Sequence, residues 1–279
     1  MVRKFIFETD WFTDCDDCVA LRFLVRNLDK QHLLLGVNVN ALSKYAYSST
    51  YAFLKNEGVD CPIALDLKGV YQGETKYQEN MSKDCSLTNA DAEDSLAFYK
   101  RVLEENDDVE IISVGFLSAL KRVFTTYPHL VKKVKKLWIM GGNWSQQGAK
   151  EYNFCAGNTE RAISGSRFVV NELPCEQAFL GFEVGESVIT GGDLPKEDML
   201  GKAMRDWGAE KGRSSWDAMA VLLALNDKFP NKFVHVYGKA HVDAYGANYF
   251  EICEDGKQSF VKKSCLDGAY QEIINGFLK

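Results

Sequence analysis

The chain has 279 residues, a net charge of −6 and a sequence pI near 5.4, with 46% hydrophobic and 26% charged residues. That balance is globular, and its acidity excludes a general binder of nucleic acid or anionic membrane, both of which need a basic face. No apolar run approaches the roughly 20 residues that span a bilayer. The apolar core of MVRKFIFETD, Phe5 to Phe7, is too short for a signal peptide, so the expected location is the cytoplasm. Eight scattered cysteines, at 15, 18, 61, 85, 155, 175, 253 and 265, read as reduced packing residues.

The elements alternate. KFIFET (4–9) is a strand, followed by the amphipathic helix CVALRFLVRNL (18–28). LLLGVNVN (33–40) precedes the helical run 45–58, which ends on a glycine suited to a helix C-terminus, and CPIAL (61–65) is the next strand. Residues 67–90 have no clear period and read as a loop or lid. DAEDSLAFYKRVLEEN (91–106) is helical, EIISVG (110–115) a strand, LSALKRVFTTY (117–127) a helix and KLWIMGG (136–142) a strand. A polar, glycine-rich loop follows to about 157. The segments 159–166, 167–172, 177–185, 196–208 and 215–227 continue the alternation, and 233–252 shows strand periodicity broken by glycines. This order predicts an α/β fold, a mainly parallel Rossmann-like sheet flanked by helices. With no linker or repeat, 1–279 reads as a single domain with a small antiparallel addition at 233–260.

ETDWFTDCDD (8–17) places five carboxylates at the end of the first strand, where open α/β sheets bind their ligands. A solvated, helix-capping acidic turn would account for it, and so would a bound cation. Polar groups after other strands favour the cation: Asn38 and Asn40, Ser118 in SVGFLSAL, Glu151 and Asn153 in EYNF, and Asp217 at the start of the apolar helix SWDAMAVLL. Together they would ring one crevice with oxygen ligands.

These segments, in this order, resemble the inosine–uridine-type nucleoside hydrolase family. ETDWFTDCDDCVAL is similar to a variant of the family's D-x-D-x-G-x-D-D-A opening with two extra residues; VNVN, SVGFLSAL, IMGG, EYNF and SWDAMAV match later landmarks. The resemblance implies the nucleoside hydrolase fold and a Ca2+-dependent cleavage of a nucleoside, or related ribosyl compound, into ribose and free base, in purine or pyrimidine salvage. It also implies assembly as a dimer or tetramer.

By the same resemblance Asp10 would be calcium ligand and general base. Asp17 and Asp217 would be further ligands, with the Ser118 carbonyl. Asp16, Glu151 and Asn153 would hold the ribose hydroxyls, Met140 of IMGG would line the substrate site, and Asn40 would orient the base. Asp14, inside the insertion, could take a metal or base role in place of Asp10.

Two departures stand out. Glu8 occupies the place of the motif's first Asp, and Trp216 stands where many members carry a proton-donating histidine. Tryptophan can stack on a base but is no acid near neutral pH. His32, His129, His235 and His241 lie outside the matched segments and read as structural. Tyr71, Gln72, Tyr77 and Glu79 are the candidates for base contact in 67–90. Trp11, Phe12, Trp144, Tyr152 and Trp216 are candidate stacking platforms. The rival readings are a ribosyl-binding protein with little turnover and, more remotely, a haloacid-dehalogenase-type phosphatase, whose nucleophile position here holds Glu8.

Overall fold

The computed structural model describes residues 2–11, 14–71 and 73–279; Phe12 and Gln72, named above as candidates, lie outside them. β1 (Arg3–Thr9) is buried over its last five residues, as a strand covered on both faces must be. Phe5 and Phe7 point into one core, with α1 (Asp16–Val25), while Ile6 joins a second core on the other face. Each such side chain contributes on the order of 1.5–3 kcal/mol by burial.

β2 (His32–Leu42) pairs parallel with β1, and α2 (Ala46–Asn56) leads to β3 (Ile63–Tyr71), parallel to β2. The expected loop 67–90 is more ordered than its aperiodic sequence suggests. β3 continues to Tyr71, and α3 (Lys76–Ser82) starts where the Thr75 side chain accepts the Gln78 N–H. β4 (Glu93–Asp94) edges β3 and enters α4 (Ser95–Glu105), capped by Asp94.

β5 (Val109–Ser113) returns to the far side of β1, in parallel. α5 (Ser118–Thr126), β6 (Val134–Met140), β7 (Ala149–Lys150) and the short α6 (Tyr152–Cys155) follow. α7 (Glu160–Glu172) is one continuous helix across 159–172. Residues 177–185 divide between β8 (Glu176–Leu180) and α8 (Phe182–Gly185). β9 (Ile189–Thr190) pairs with β10 (Arg213–Ser214) around α9 (Met199–Trp207). α10 (Trp216–Ala224) is apolar all round and buried beyond Trp216, packed against α1 and the sheet. β11 (Phe233–Val242), β12 (Ala247–Ile252), β13 (Gln258–Lys263) and α11 (Asp267–Gly276) end the chain.

Among the described residues eleven strands form one sheet in the order β4-β3-β2-β1-β5-β6-β8-β13-β11-β12-β7. The antiparallel strands of the tail extend this sheet, because β13 hydrogen-bonds in parallel to β8 while β11 runs against β13. β1 sends its successors to opposite sides, β2 to one and β5 to the other. The carboxyl ends of β1 and β5 therefore flank a topological switch point, where such sheets leave a crevice.

Candidate active site

The crevice is a cavity of about 450 Å3 with carboxylates at its floor. α1 and α10 both begin there and place Asp16, Asp17 and Asp217 in their first turns. One oxygen from each of these three lies within 4.8 Å of the others, and all three residues are buried. Asp217 does not cap its own helix; its N–H donates to Asp16 Oδ2 at 3.1 Å. Asp17 Oδ1 accepts the Thr9 hydroxyl and the Trp11 N–H, the latter at 3.2 Å. Burial, then mutual repulsion among neighbouring aspartates, pushes Asp17 and Asp217 well above the usual carboxylate range; Asp16 is driven up by burial and by Asp14. Two helix N-termini offset part of this charge and no more.

A hard divalent cation fits the donor set: clustered carboxylate oxygens, deeply placed, in a pocket that also contains Asp10 and Val114. Backbone geometry brings these groups together. Trp11 adopts φ 46°, a left-handed conformation costly for a bulky residue, which directs its N–H at Asp17. Gly115 lets the end of β5 approach Asp10, since a Cβ there would lie 2.4 Å from the Asp10 nitrogen.

Glu151 and Asn153 form one side. Glu151 accepts the N–H groups of Asn153 and Gly142, each at 2.9 Å, and burial pushes its carboxyl up to about 7. Asn153 Nδ2 donates to the carbonyls of Val114 at 2.9 Å and Met140 at 3.2 Å, tying the ends of β5 and β6 to α6. Met140 lines the same cavity.

The opposite side is aromatic and basic. Trp216 stacks on Phe182 with centroids 5.1 Å apart, gives its ring N–H to the Phe182 carbonyl at 2.8 Å, and carries the Arg213 guanidinium over its ring at 5.2 Å. Arg213 also pairs with Asp14 at 2.6 Å. Tyr152 and Trp207 complete this wall.

Asp10, Asp14, Asp16, Asp17, Asp217, Met140, Glu151, Asn153 and Trp216 thus all line one cavity. The tight trio contains Asp16, expected on ribose, while Asp14 is turned to Arg213. Two expected residues lie elsewhere. Asn40 does not line the cavity: its amide is engaged with Glu8 and with both backbone groups of Phe116, bracing the ends of β1, β2 and β5. Ser118, four residues past the cavity, is the first residue of α5 and lines a separate hollow beside Asp66 and Arg122; the carbonyl end of β5 that reaches the cavity is Val114. Trp11 is no platform either, being fully buried with its ring N–H on Ser49 Oγ at 2.9 Å and its edge against Phe53.

Glu8 is buried behind the site, accepting hydrogen bonds from Tyr99 and Asn40, with its carboxyl raised to about 7 by burial. Sequence reasoning missed Val114, Phe182, Trp207 and Arg213. Val114 had a signal, the strand-end position; Arg213 had none.

The sequence profile of the inosine–uridine preferring nucleoside hydrolases matches residues 5–162, more than half of the chain. The chain belongs to this family, and it is by that membership a glycosidase-type hydrolase. Similar solved structures include a plant nucleoside hydrolase (TM-score 0.77, 16% identity, covering 100% of this chain and 99% of the other). An inosine–uridine preferring nucleoside hydrolase from Bacillus anthracis has a TM-score of 0.72 at 16% identity, covering 99% of both chains. A purine-preferring ribonucleoside hydrolase from Gardnerella vaginalis has a TM-score of 0.68 at 14% identity, also covering 99% of both chains. At these identities the likeness is one of fold. No curated protein sequence matches the chain.

Proposed function

We propose that the protein hydrolyses the N-glycosidic bond of a ribonucleoside, or a related ribosyl compound, with calcium held by Asp16, Asp17 and Asp217. The observation that carries this reading is the buried trio of carboxylates facing an aromatic wall across one cavity. Bound calcium would supply charge compensation for these groups and polarise the hydrolytic water. Asp10, on the same floor, takes the proton released as the water oxygen bonds to the anomeric carbon and the C–N bond breaks. Glu151 and Asn153 hold the sugar in register, while Phe182 and Trp216 receive the base.

Among the described residues no histidine lines the cavity, and the Trp216 N–H is already engaged. The departing base therefore draws its proton from solvent or leaves on its own low basicity, which favours activated leaving groups. The same observation supports a second reading, a ribosyl-binding protein with little turnover. In the cell we place the reaction in cytoplasmic base salvage, by a homo-oligomeric form of this single-domain chain; light scattering tests the assembly.

Inosine, uridine and a nitrophenyl riboside, assayed with calcium and with a chelator, test the proposal. Expected is calcium-dependent release of ribose, fastest from the nitrophenyl riboside. Calorimetric binding of ribosides without product after long incubation would establish the second reading instead.

A further inference from the structure

A second hollow, of about 520 Å3, opens between β3 and the starts of α5 and α7. The turn between β5 and α5 separates it from the acidic cavity, with Val114 lining one and Ser118 the other. Its electrostatics are reversed. Lys68, Lys121, Arg122 and Arg161 line it in a chain of net charge −6, with Asp66 and Glu160 the acidic residues beside them. Arg122 is engaged with Asp66 and makes two hydrogen bonds to Asp94 at 2.9 and 3.0 Å. Among the described residues no carboxylate lies within ion-pair distance of Lys68, Lys121 or Arg161; Arg161 gives an N–H to the Gly69 carbonyl at 3.1 Å. Burial and then the nearby Arg161 charge hold the Arg122 guanidinium below its usual value, and the four cations of the lining outnumber its two carboxylates.

Two buried polar atoms in this lining have no partner: Asp66 Oδ2 and Ser118 Oγ, on residues 0% and 5% exposed. Buried polar groups are nearly always paired, so each calls for a ligand atom. The start of α5 is packed against the middle of α7. A Cβ on Gly165 would lie 2.7 Å from the Ser118 nitrogen, so α7 rests directly on the first turn of α5. Helix N-termini favour anions.

We infer that this hollow binds a phosphate monoester bearing a free hydroxyl, such as a sugar phosphate. Phosphoryl oxygens meet Lys68, Lys121 and Arg161 and accept the Ser118 hydroxyl, and a ligand O–H donates to Asp66 Oδ2. The site is independent of the hydrolase reading, and no bond is made or broken in it.

Ribose 5-phosphate, titrated calorimetrically into the full chain at about 0.15 M salt, is the probe. The double variant Lys121→Glu/Arg161→Glu, the first half-buried and the second exposed, should weaken binding at least about tenfold. Lys121→Arg should retain it, and so should Asp217→Asn, which alters only the acidic cavity. Inorganic phosphate should compete and ribose should not. The inference is overturned by no binding up to about 10 mM, by equal affinity in the double variant, by competition from ribose, or by loss confined to Asp217→Asn, which would place the ligand in the acidic cavity.

Discussion

The two ends of β1 hold the same kind of side chain in opposite electrostatic circumstances. At the amino end the carboxylates of Glu110, Asp227 and Asp29 each have a cation or a histidine beside them. Arg3 grips Glu110 at 2.5 Å and Asp227 at 2.6 Å, His32 lies between Asp29 at 2.7 Å and Asp227 at 2.8 Å, and Lys228 closes on Asp29 at 2.8 Å. Hydrogen bonds from Lys228 and His32 hold Asp29 below the usual carboxylate range. Burial acts upward on Asp227, but His32 and Arg3 carry it below as well. At the carboxyl end Asp16, Asp17 and Asp217 face one another and are driven the opposite way. The nearby guanidinium, Arg213, is turned to Asp14. The carboxylates at the amino end are matched by the chain's own cations, whereas these three, clustered and buried, could hold a metal ion.

Asp17→Asn breaks the comparison most forcefully. Hydrolysis should fall by about 100- to 1000-fold, the scale seen when one preorganised polar group is lost. Stability should move the other way: with chelator present the variant should melt above the wild type, because one crowded charge is gone. Calcium should raise the wild-type melting temperature, by mass action on the folded state alone, and leave the variant nearly unmoved. A wild type indifferent to calcium, with the variant less stable in chelator, would refute the assignment.

A smaller effect sharpens what the aromatic wall contributes. Trp216→Ala removes the ring stacked on Phe182 and should raise KM for an aromatic base by roughly 2- to 10-fold, as one stacking contact suggests. Trp216→Phe keeps a ring and loses only the N–H that the Phe182 carbonyl accepts. Its KM should change by less than about threefold. Equal losses in both would mean that the indole positions α8 and contributes nothing to the base.

The parallel sheet was legible because each strand is a short apolar run and each helix a longer periodic one. The acidic turn was legible because five carboxylates in ten residues repel one another unless water or a cation lies between them. What escaped was decided by tertiary geometry. Ser118 and Val114 sit four residues apart in one motif, yet the turn at Gly115 sends them into different pockets. Asn40 closes the apolar run 33–40 as a ligand would, but β2 continues to Leu42 and the Asn40 amide is used up on Phe116 and Glu8. Trp11 stands next to Asp10 in sequence, and its left-handed backbone turns the ring into the core. Arg213 reaches Asp14 across 199 residues, which no local pattern encodes.

The smallest effect lies at the paired end and has a definite sign. Asp227 has a lowered pKa in the folded protein, so its ionised form contributes stability above the unfolded pKa of about 3.9. That contribution is lost as pH falls through the lower folded value. The side chain is 43% exposed, so solvent screens its pairs with Arg3 and His32, and exposed pairs are worth about 0–1 kcal/mol. Asp227→Asn should therefore lower the melting temperature by about 2 °C or less at pH 7. The gap between variant and wild type should begin to close below about pH 4 and vanish once the pH is below the lower folded value, where both carry a neutral group there. A gap of unchanged size across the acid range, or one that grew, would show that Asp227 acts through its shape and hydrogen bonds, and the contrast between the two ends of β1 would no longer be one of charge.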